Sequence, residues 1–170
     1  MTHQPPGNLE PEFRAAMRRV AATVTLITTA DTTGQRHGMV ATAVSSVTME
    51  PPTLLICVNR SASLYAPLIE RGQFCVNVLM ASHHELVACF SGQKVGETRF
   101  DTGDWRLDGR TRLPYLHGAQ CNLFCSVNGV STVGTHAVII AVVNAVQINE
   151  SVVPLLYADG ALRGLGAAVN

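Results

Sequence analysis

The feature that most constrains the fold is a series of strand-forming runs with few helical segments between them. Runs rich in β-branched and apolar residues predict strands over 23–29, 36–48, 53–59, 74–80, 119–130 and 136–149, with a last strand after Pro154. Helical spacing predicts only three short helices, over 13–20, 63–71 and 82–90. Strands without alternating helices pair antiparallel, so the chain is predicted to be mainly β, an antiparallel Greek-key barrel with small covering helices.

Turn and cap signals set the boundaries of several elements. Pro11 stands where a first helical turn accepts proline, and Gly72 stands where the second helix would end. Turn chemistry over 31–34 predicts a hairpin between the first two strands. Ser82 and Glu85 have the spacing of a capping box, which predicts the start of the third helix.

The length of 170 residues predicts one domain around one core. Residues 1–10 contain two consecutive prolines and no apolar run, and they predict a disordered N-terminal arm rather than a secretion signal. Residues 11–170 are predicted to form the single domain. Within it, the polar, Gly-rich and Arg-rich residues 91–114 are predicted to form a long functional loop or lid.

Charge and hydropathy argue against two classes of partner. The 12 basic and 12 acidic side chains cancel, and nucleic-acid binding without sequence preference needs an excess of Lys and Arg. The longest apolar stretch, 137–143, is too short to span a bilayer. Charged residues make up only 14% of the chain while 47% are hydrophobic, which is few charges and much apolar surface for a single small domain.

The five cysteines are odd in number, lie in apolar runs and form no C-x-x-C pair. They predict reduced, buried thiols in a cytoplasmic protein, with no metal site. His83 and His84 are neighbours on a predicted helix and point about 100° apart, so they do not form a metal pair. Ser91 and Lys94 match S-x-x-K, but the motif follows a helix and its partner motif K-T-G is absent.

The stretch most informative about function is 38–48, together with the turn 59–63. Small residues and hydroxyls occupy 38–48 where a core strand would carry larger side chains, which lets a flat ligand approach the backbone. The turn Asn-Arg-Ser-Ala-Ser before a helix offers a guanidinium, hydroxyls and amides that suit a phosphate. An ordinary hairpin followed by an ordinary helix start explains the same residues, so both interpretations stay open on these grounds.

Several segments together resemble the flavin reductase family. The similarity runs in order over about residues 13–165. It implies a split β-barrel that binds FMN or FAD, works as a homodimer and transfers a hydride from NADH or NADPH to the flavin. The family includes reductase components of two-component monooxygenases, so a transient monooxygenase partner is expected. The matching segments are 38–48, Pro51-Pro52, 57–61, 74–79, Phe90-Ser91, Arg99-Phe100, 134–136 and 154–157.

The resemblance also implies a set of flavin contacts. Those beside the ring and ribityl chain would be Thr42, Ala43, Ser45 and Ser46. Those at the ribityl and phosphate end would be Asn59, Arg60, Ser61 and Ser63. Further contacts would come from Phe90, Ser91, Arg99 and Phe100.

Two more residues are implied to act on the nicotinamide. His136 matches the family's histidine beside the nicotinamide and flavin rings, and Tyr157 matches an aromatic residue that helps place the nicotinamide. The family's usual Gly-Asp-His is Gly134-Thr135-His136 here, so the carboxylate next to the histidine is missing. Each of these assignments has an ordinary structural alternative. His136 could be a structural residue of a strand, Tyr157 a core tyrosine with its hydroxyl at the surface, and Arg60 a solvated surface charge.

Hydride transfer between nicotinamide and flavin is chemistry of the two cofactors, so the protein is expected mainly to position their rings. The leading hypothesis is a cytoplasmic NAD(P)H:flavin oxidoreductase that passes reduced flavin to a partner oxygenase. The alternative is a protein of the same fold that keeps its flavin fixed, either as another redox enzyme or as a non-catalytic carrier or sensor.

Overall fold

The computed structural model describes residues 9–166 and consists mainly of antiparallel strands. Short 3₁₀ or π-helical turns lie at Ala81–His83, Cys89–Gln93 and Gly96–Asp101. In chain order the other elements are α1 (Glu10–Met17), β1 (Ala22–Thr23), β2 (Thr25–Ala30), β3 (Arg36–Ala41), β4 (Val44–Met49), β5 (Pro52–Asn59), α2 (Tyr65–Arg71), β6 (Gln73–Val78), α3 (His84–Ala88), β7 (Trp105–Leu107), β8 (Pro114–Leu116), β9 (Cys121–Val133), β10 (His136–Ile148), β11 (Leu156–Ala158) and β12 (Ala161–Arg163).

The main sheet has the strand order β3-β2-β6-β9-β10-β5-β4, and every neighbouring pair is antiparallel. Its two edge strands, β3 and β4, are joined in the chain by only Thr42 and Ala43. Three peptide units span at most about 11 Å, so the two edges meet at this link and the sheet is curled into a barrel. We call this link the seam. The mainly β, antiparallel barrel predicted from the sequence is confirmed.

The main core fills the barrel. Alternate residues of β5 and β10 point inward, and the cross-strand pairs Ile56 with Ile139 and Val58 with Ala137 are fully buried. Helix α2 covers one end and contributes Leu68 to the same core. Each large side chain buried in this way stabilises the fold by roughly 1.5–3 kcal/mol.

A buried polar network connects four strands through Asn77 on β6. Its amide nitrogen donates to the Leu26 carbonyl at 2.8 Å and to the Thr28 hydroxyl at 3.0 Å. Its amide oxygen accepts from the Leu116 backbone N–H at 2.8 Å and from the Asn122 side chain at 2.9 Å. All four hydrogen-bonding positions of the Asn77 amide are therefore used, and the network ties β8 to the outside of the barrel.

The N-terminal prediction was wrong in part. Residues 1–8 of the predicted arm lie outside the described residues, but Glu10 is the first residue of α1, which ends at Met17 rather than at residue 20. Pro11 stands in its first turn as predicted, and the acidic Glu10 and Glu12 favour a helix start.

Two predicted strands are each divided in the structure. The first is interrupted at Val24, and the second at the seam, where the chain leaves one barrel edge and enters the other. The hairpin between them is confirmed, with Ala30 opposite Arg36. Helix α2 ends at Gly72 as predicted, in a left-handed conformation with φ of 67°.

The predicted capping box at Ser82 was wrong. The cap is instead formed by His83, whose Nδ1 accepts from the Met80 backbone N–H at 3.3 Å, while the His83 N–H donates to the Met80 carbonyl at 2.9 Å. Residues 91–114, which we call the lid segment, are also more regular than a plain loop. They contain the Gly96–Asp101 turn, and β7 within them pairs with β8.

All five cysteines are free. Cys75, Cys89 and Cys125 are buried as predicted, whereas Cys57 and Cys121 are half-buried. Burial raises the pKa of Cys125 to about 12. Over residues 9–166, no helix is long and apolar enough to cross a membrane, and no group of three or more His, Cys, Asp or Glu side chains could hold a metal ion.

Candidate functional site

The seam presents an exposed strip of small side chains. Thr42 and Ala43 are both exposed, and the Ala43 carbonyl accepts from the Cys57 N–H at 3.1 Å, which fixes the link against β5. Ser45 and Ser46 follow on β4 and are exposed as well. The four sequence-predicted ring contacts are therefore exposed, but Ser45 and Ser46 are consecutive on β4 and point to opposite faces of the strand.

The turn after β5 is organised by Asn59. Its side-chain oxygen accepts from the Ser61 N–H at 3.0 Å and from the Ser61 hydroxyl at 2.9 Å, the Asx-turn geometry that asparagine favours. The Arg60 N–H donates to the Thr135 carbonyl at 3.0 Å, so the turn is attached to the hairpin between β9 and β10. The Arg60 side chain itself is exposed.

Arg99 of the lid segment reaches the same turn. Its Nη1 donates to the Ser63 hydroxyl at 3.2 Å and to the Gly38 carbonyl at 3.0 Å, and its Nε donates to the Lys94 carbonyl at 3.1 Å. Residues distant in sequence thus place two guanidinium groups at one end of the barrel. We call this group the basic corner; it comprises Asn59, Arg60, Ser61, Ser63 and Arg99.

His136 lies directly beside the basic corner. It is the first residue of β10, pairs in register with Asn59 and has an exposed side chain. Its Nδ1 lies 2.9 Å from the Thr135 hydroxyl oxygen. A threonine hydroxyl, rather than a carboxylate, therefore contacts Nδ1 of the exposed ring.

The electrostatics of this end favour an anion. Glu97, two residues before Arg99 in the lid segment, is paired with Arg36. Burial raises the pKa of Glu97, but the hydrogen bonds and charge of Arg36 outweigh that effect and hold the pKa below its ordinary value. Glu97 is therefore ionised and is paired with Arg36 rather than with Arg60 or Arg99.

Phe90 and Phe100 do not reach the strip. Both rings are 5% exposed and stack edge to face in the second core cluster, with centroids 5.1 Å apart. Phe90 also packs on Gly38, where an added Cβ would lie 2.5 Å from the ring, so the strand needs glycine there. The two rings thus form part of the core beneath the lid segment, whereas Ser91, next to Phe90 in the chain, is exposed.

A cavity of about 530 Å³ opens on the α1 side of the seam. Thr42, Ala43 and Tyr157 line it, together with Phe13 and Met17 of α1. The sequence interpretation missed these two α1 residues as site candidates. Their apolar spacing along a helix was the available signal, but it was interpreted only as packing. No hydrogen bond or ring contact within residues 9–166 joins Tyr157 to His136.

Comparison with known proteins decides the family. Residues 17–166 match the model of the flavin reductase like domain. The chain belongs to the flavin reductase family. It is 42% identical to the FMN reductase (NADH) RutF of Pantoea ananatis over 148 residues, which cover 87% of this chain and 77% of that protein.

Two further relatives of this chain are flavin reductases that are named together with a hydroxylase or a monooxygenase. The reductase component of the FADH(2)-dependent resorcinol hydroxylase of a Rhizobium species is 43% identical over 157 residues, covering 89% of this chain and 87% of that protein. The solved structure of the styrene monooxygenase flavin reductase of Pseudomonas putida S12 superposes with a TM-score of 0.84 at 26% identity, covering 93% of this chain and 99% of that one.

The residues of this flavin reductase family member fit a flavin. The seam strip lacks bulky side chains, as close approach of a flat ring requires. The basic corner supplies two guanidinium groups and two hydroxyls, the donors that a phosphate needs. The contacts of the corner within residues 9–166 include no carboxylate that would repel it.

Proposed function

We propose that the chain is an NADH-dependent flavin reductase that uses the seam strip and the basic corner to hold FMN or FAD. The observation that carries the proposal is the hydrogen bond between Arg99 and Ser63. This bond brings the Arg99 guanidinium from the lid segment to the turn of Arg60, next to the seam strip and to His136. This is the arrangement needed to hold a flat ring and a phosphate together.

The bound flavin supplies the ring atom that accepts a hydride from the nicotinamide. The chain supplies the geometry for that transfer, since reacting atoms must approach to about 3–3.5 Å. Arg60 and Arg99 hold the phosphate end, and the exposed small residues of the seam lie under the ring. His136, held at Nδ1 by Thr135, directs Nε2 toward the nicotinamide carboxamide, and Tyr157 helps place the nicotinamide.

We further propose that the chain works as a homodimer. Exposed apolar side chains lie near the ends of β4 and β10, where Met49 is 73% exposed and Ile148 is 80% exposed, and Met49 and Val146 line one shared depression. We call the group of Val47, Met49, Val146 and Ile148 the apolar patch. A second copy of the chain would remove this surface from water.

The relatives of the chain support a partner protein, and its free thiols support a cellular compartment. Two relatives are reductase components of monooxygenases, so we propose that reduced flavin passes to a partner of that class. Five free cysteines support a cytoplasmic location, because reducing compartments keep thiols unpaired.

The test is the oxidation of NADH by the purified chain, followed at the nicotinamide absorbance band with FMN, with FAD and without flavin. We expect oxidation that depends on added flavin and is faster with NADH than with NADPH. Absence of flavin-dependent oxidation with either nucleotide would overturn the proposal. Gel filtration distinguishes a flavin that is a substrate from a flavin that is a fixed group. A protein that stays yellow through the column carries its flavin as a fixed group.

A further inference from the structure

Glu97 connects the lid segment to strand β3 through one residue, Arg36. One carboxylate oxygen accepts from the Arg36 backbone N–H at 2.5 Å. The other accepts from Arg36 Nε and lies within 2.7 Å of both Nε and Nη2. The Arg36 guanidinium also lies over the Phe100 ring, 4.6 Å from its centroid. Both carboxylate oxygens of Glu97 are thus used, and the contact is partly shielded from water, with side-chain exposures of 30% and 44%.

Arg99 lies two residues after Glu97 on the same 3₁₀ turn. It contacts the same strand two residues further along, at the Gly38 carbonyl, and from there reaches Ser63. The turn is therefore attached to β3 at two successive points. The first point is Arg36 with Glu97, and the second is the Gly38 carbonyl with Arg99.

Only part of the Arg99 guanidinium is used by these contacts. Nε and Nη1 donate to protein acceptors, whereas the two N–H groups of Nη2 have no hydrogen-bond partner within residues 9–166. The Nη2 group is the part of the side chain that remains for a ligand at the basic corner.

We infer that the Arg36–Glu97 ion pair positions Arg99, so that the free Nη2 group of Arg99 meets the phosphate of a bound flavin. Arg36 and Glu97 are then positioning residues for flavin binding, acting through Arg99 rather than touching the flavin. The inference rests on the proposed function and assigns a role to two residues outside the strip and the corner.

Loss of the ion pair should move Arg99 without unfolding the lid. Besides the Arg36 guanidinium over its face, Phe100 is held in the second core cluster by Phe90 and Trp105, and these two ring contacts do not involve Glu97. Gly96 and Gly103 flank the turn in left-handed conformations and allow its path to adjust. A substitution at Glu97 is therefore expected to change flavin affinity at nearly unchanged thermal stability.

The experiment measures the Kd of FMN and of riboflavin, which lacks the phosphate, by flavin fluorescence for the wild type and for Glu97→Gln. We expect the Kd of FMN to rise about fivefold, the effect of losing a partly exposed ion pair, while the Kd of riboflavin stays unchanged. The matched control is Asp104→Asn, which breaks the 2.8 Å ion pair with Arg106 in the same lid segment but does not touch Arg99. This control should bind FMN like the wild type.

A double-mutant cycle separates positioning from a direct or purely structural role. In an Arg99→Met background, Glu97→Gln should cause no further rise in the Kd of FMN. A full fivefold rise in that background, an equal rise for FMN and riboflavin, or an unchanged Kd in the single variant would each overturn the inference. Wild-type protein that binds FMN but oxidises no NADH would overturn the proposed function alone, and protein that binds no FMN would overturn both.

Discussion

Arg60 is the residue on which the proposed phosphate recognition depends most directly. Its backbone N–H is bonded to the Thr135 carbonyl, and its exposed guanidinium has no hydrogen-bond partner within residues 9–166, so it is available to a ligand. We predict that Arg60→Ala raises the KM for FMN about tenfold, the effect of one charge-assisted hydrogen bond, and leaves the KM for riboflavin unchanged. Steady-state kinetics with both flavins measures the difference. Arg110→Ala removes another exposed arginine and should change neither constant; equal losses for FMN and riboflavin would contradict the phosphate assignment.

His136 can be tested separately from the fold because its side chain is exposed. We predict that His136→Ala lowers kcat/KM for NADH roughly tenfold, since the nicotinamide loses a hydrogen-bonding partner, while the melting temperature stays unchanged. His117→Ala, another exposed histidine, is the control. Unchanged kinetics of the His136 variant would reject its role in the reaction.

Single residues of the site were predictable where the signal is local. Asn59 and Ser61 form their turn through contacts two residues apart, which turn chemistry describes. The pairing of Arg36 with Glu97 spans 61 residues and depends on the path of the lid over the barrel, which no local pattern contains. The Thr135 contact to His136 was equally inaccessible, because it depends on side-chain geometry.

At the scale of elements, the Asn77 network joins strands that are far apart in sequence. We predict that Asn77→Ala lowers the free energy of unfolding by about 3 kcal/mol, because the buried Leu116 N–H and the Asn122 side chain lose an acceptor. Chemical denaturation measures the loss. Asn144→Ala, on the exposed side of β10, removes one hydrogen bond to Ser126 and should cost less than 1 kcal/mol; similar losses for both variants would contradict the prediction.

If the cavity at the seam receives the nicotinamide, substitutions in helix α1, which lines the cavity, should change NADH binding. Phe13 lines that cavity with Tyr157, and α1 buries no residue, so its side chains can be changed without harm to the core. We predict that Phe13→Ala raises the KM for NADH about threefold through lost apolar contact. Leu9→Ala removes a similarly exposed apolar side chain outside the cavity and should leave the KM unchanged. Equal effects of the two substitutions would argue against a ligand in the cavity.

Most elements followed from periodicity, and the errors have identifiable physical causes. Residues 36–48 form an unbroken β pattern, yet the strand divides at the seam because closing the barrel, a property of all seven strands, requires it. Ser82 has the residue type for a cap, but His83 provides the cap once the chain turns at Met80. Propensity predicts the kind of element, and tertiary closure decides where it breaks.

For the whole molecule, the apolar patch predicts the oligomeric state. We expect sedimentation to give a dimer for the wild type, and Met49→Lys to shift it toward a monomer because a buried charge without a partner is costly. Val95→Lys, at a residue of the lid segment with similar exposure, should remain dimeric. A monomeric wild type at micromolar concentration would refute the prediction.

The seam has a consequence for how this protein folds. Strands β3 and β4 are joined by two residues but lie at opposite edges of the sheet, so the relative orientation of their hairpins is fixed only after β6, β9 and β10 have paired between them. These long-range pairings are the slow steps of β-protein folding. The proposed flavin site also needs Arg99 at Ser63 and the turn of Arg60 at Thr135, so the whole site is complete only in the finished barrel.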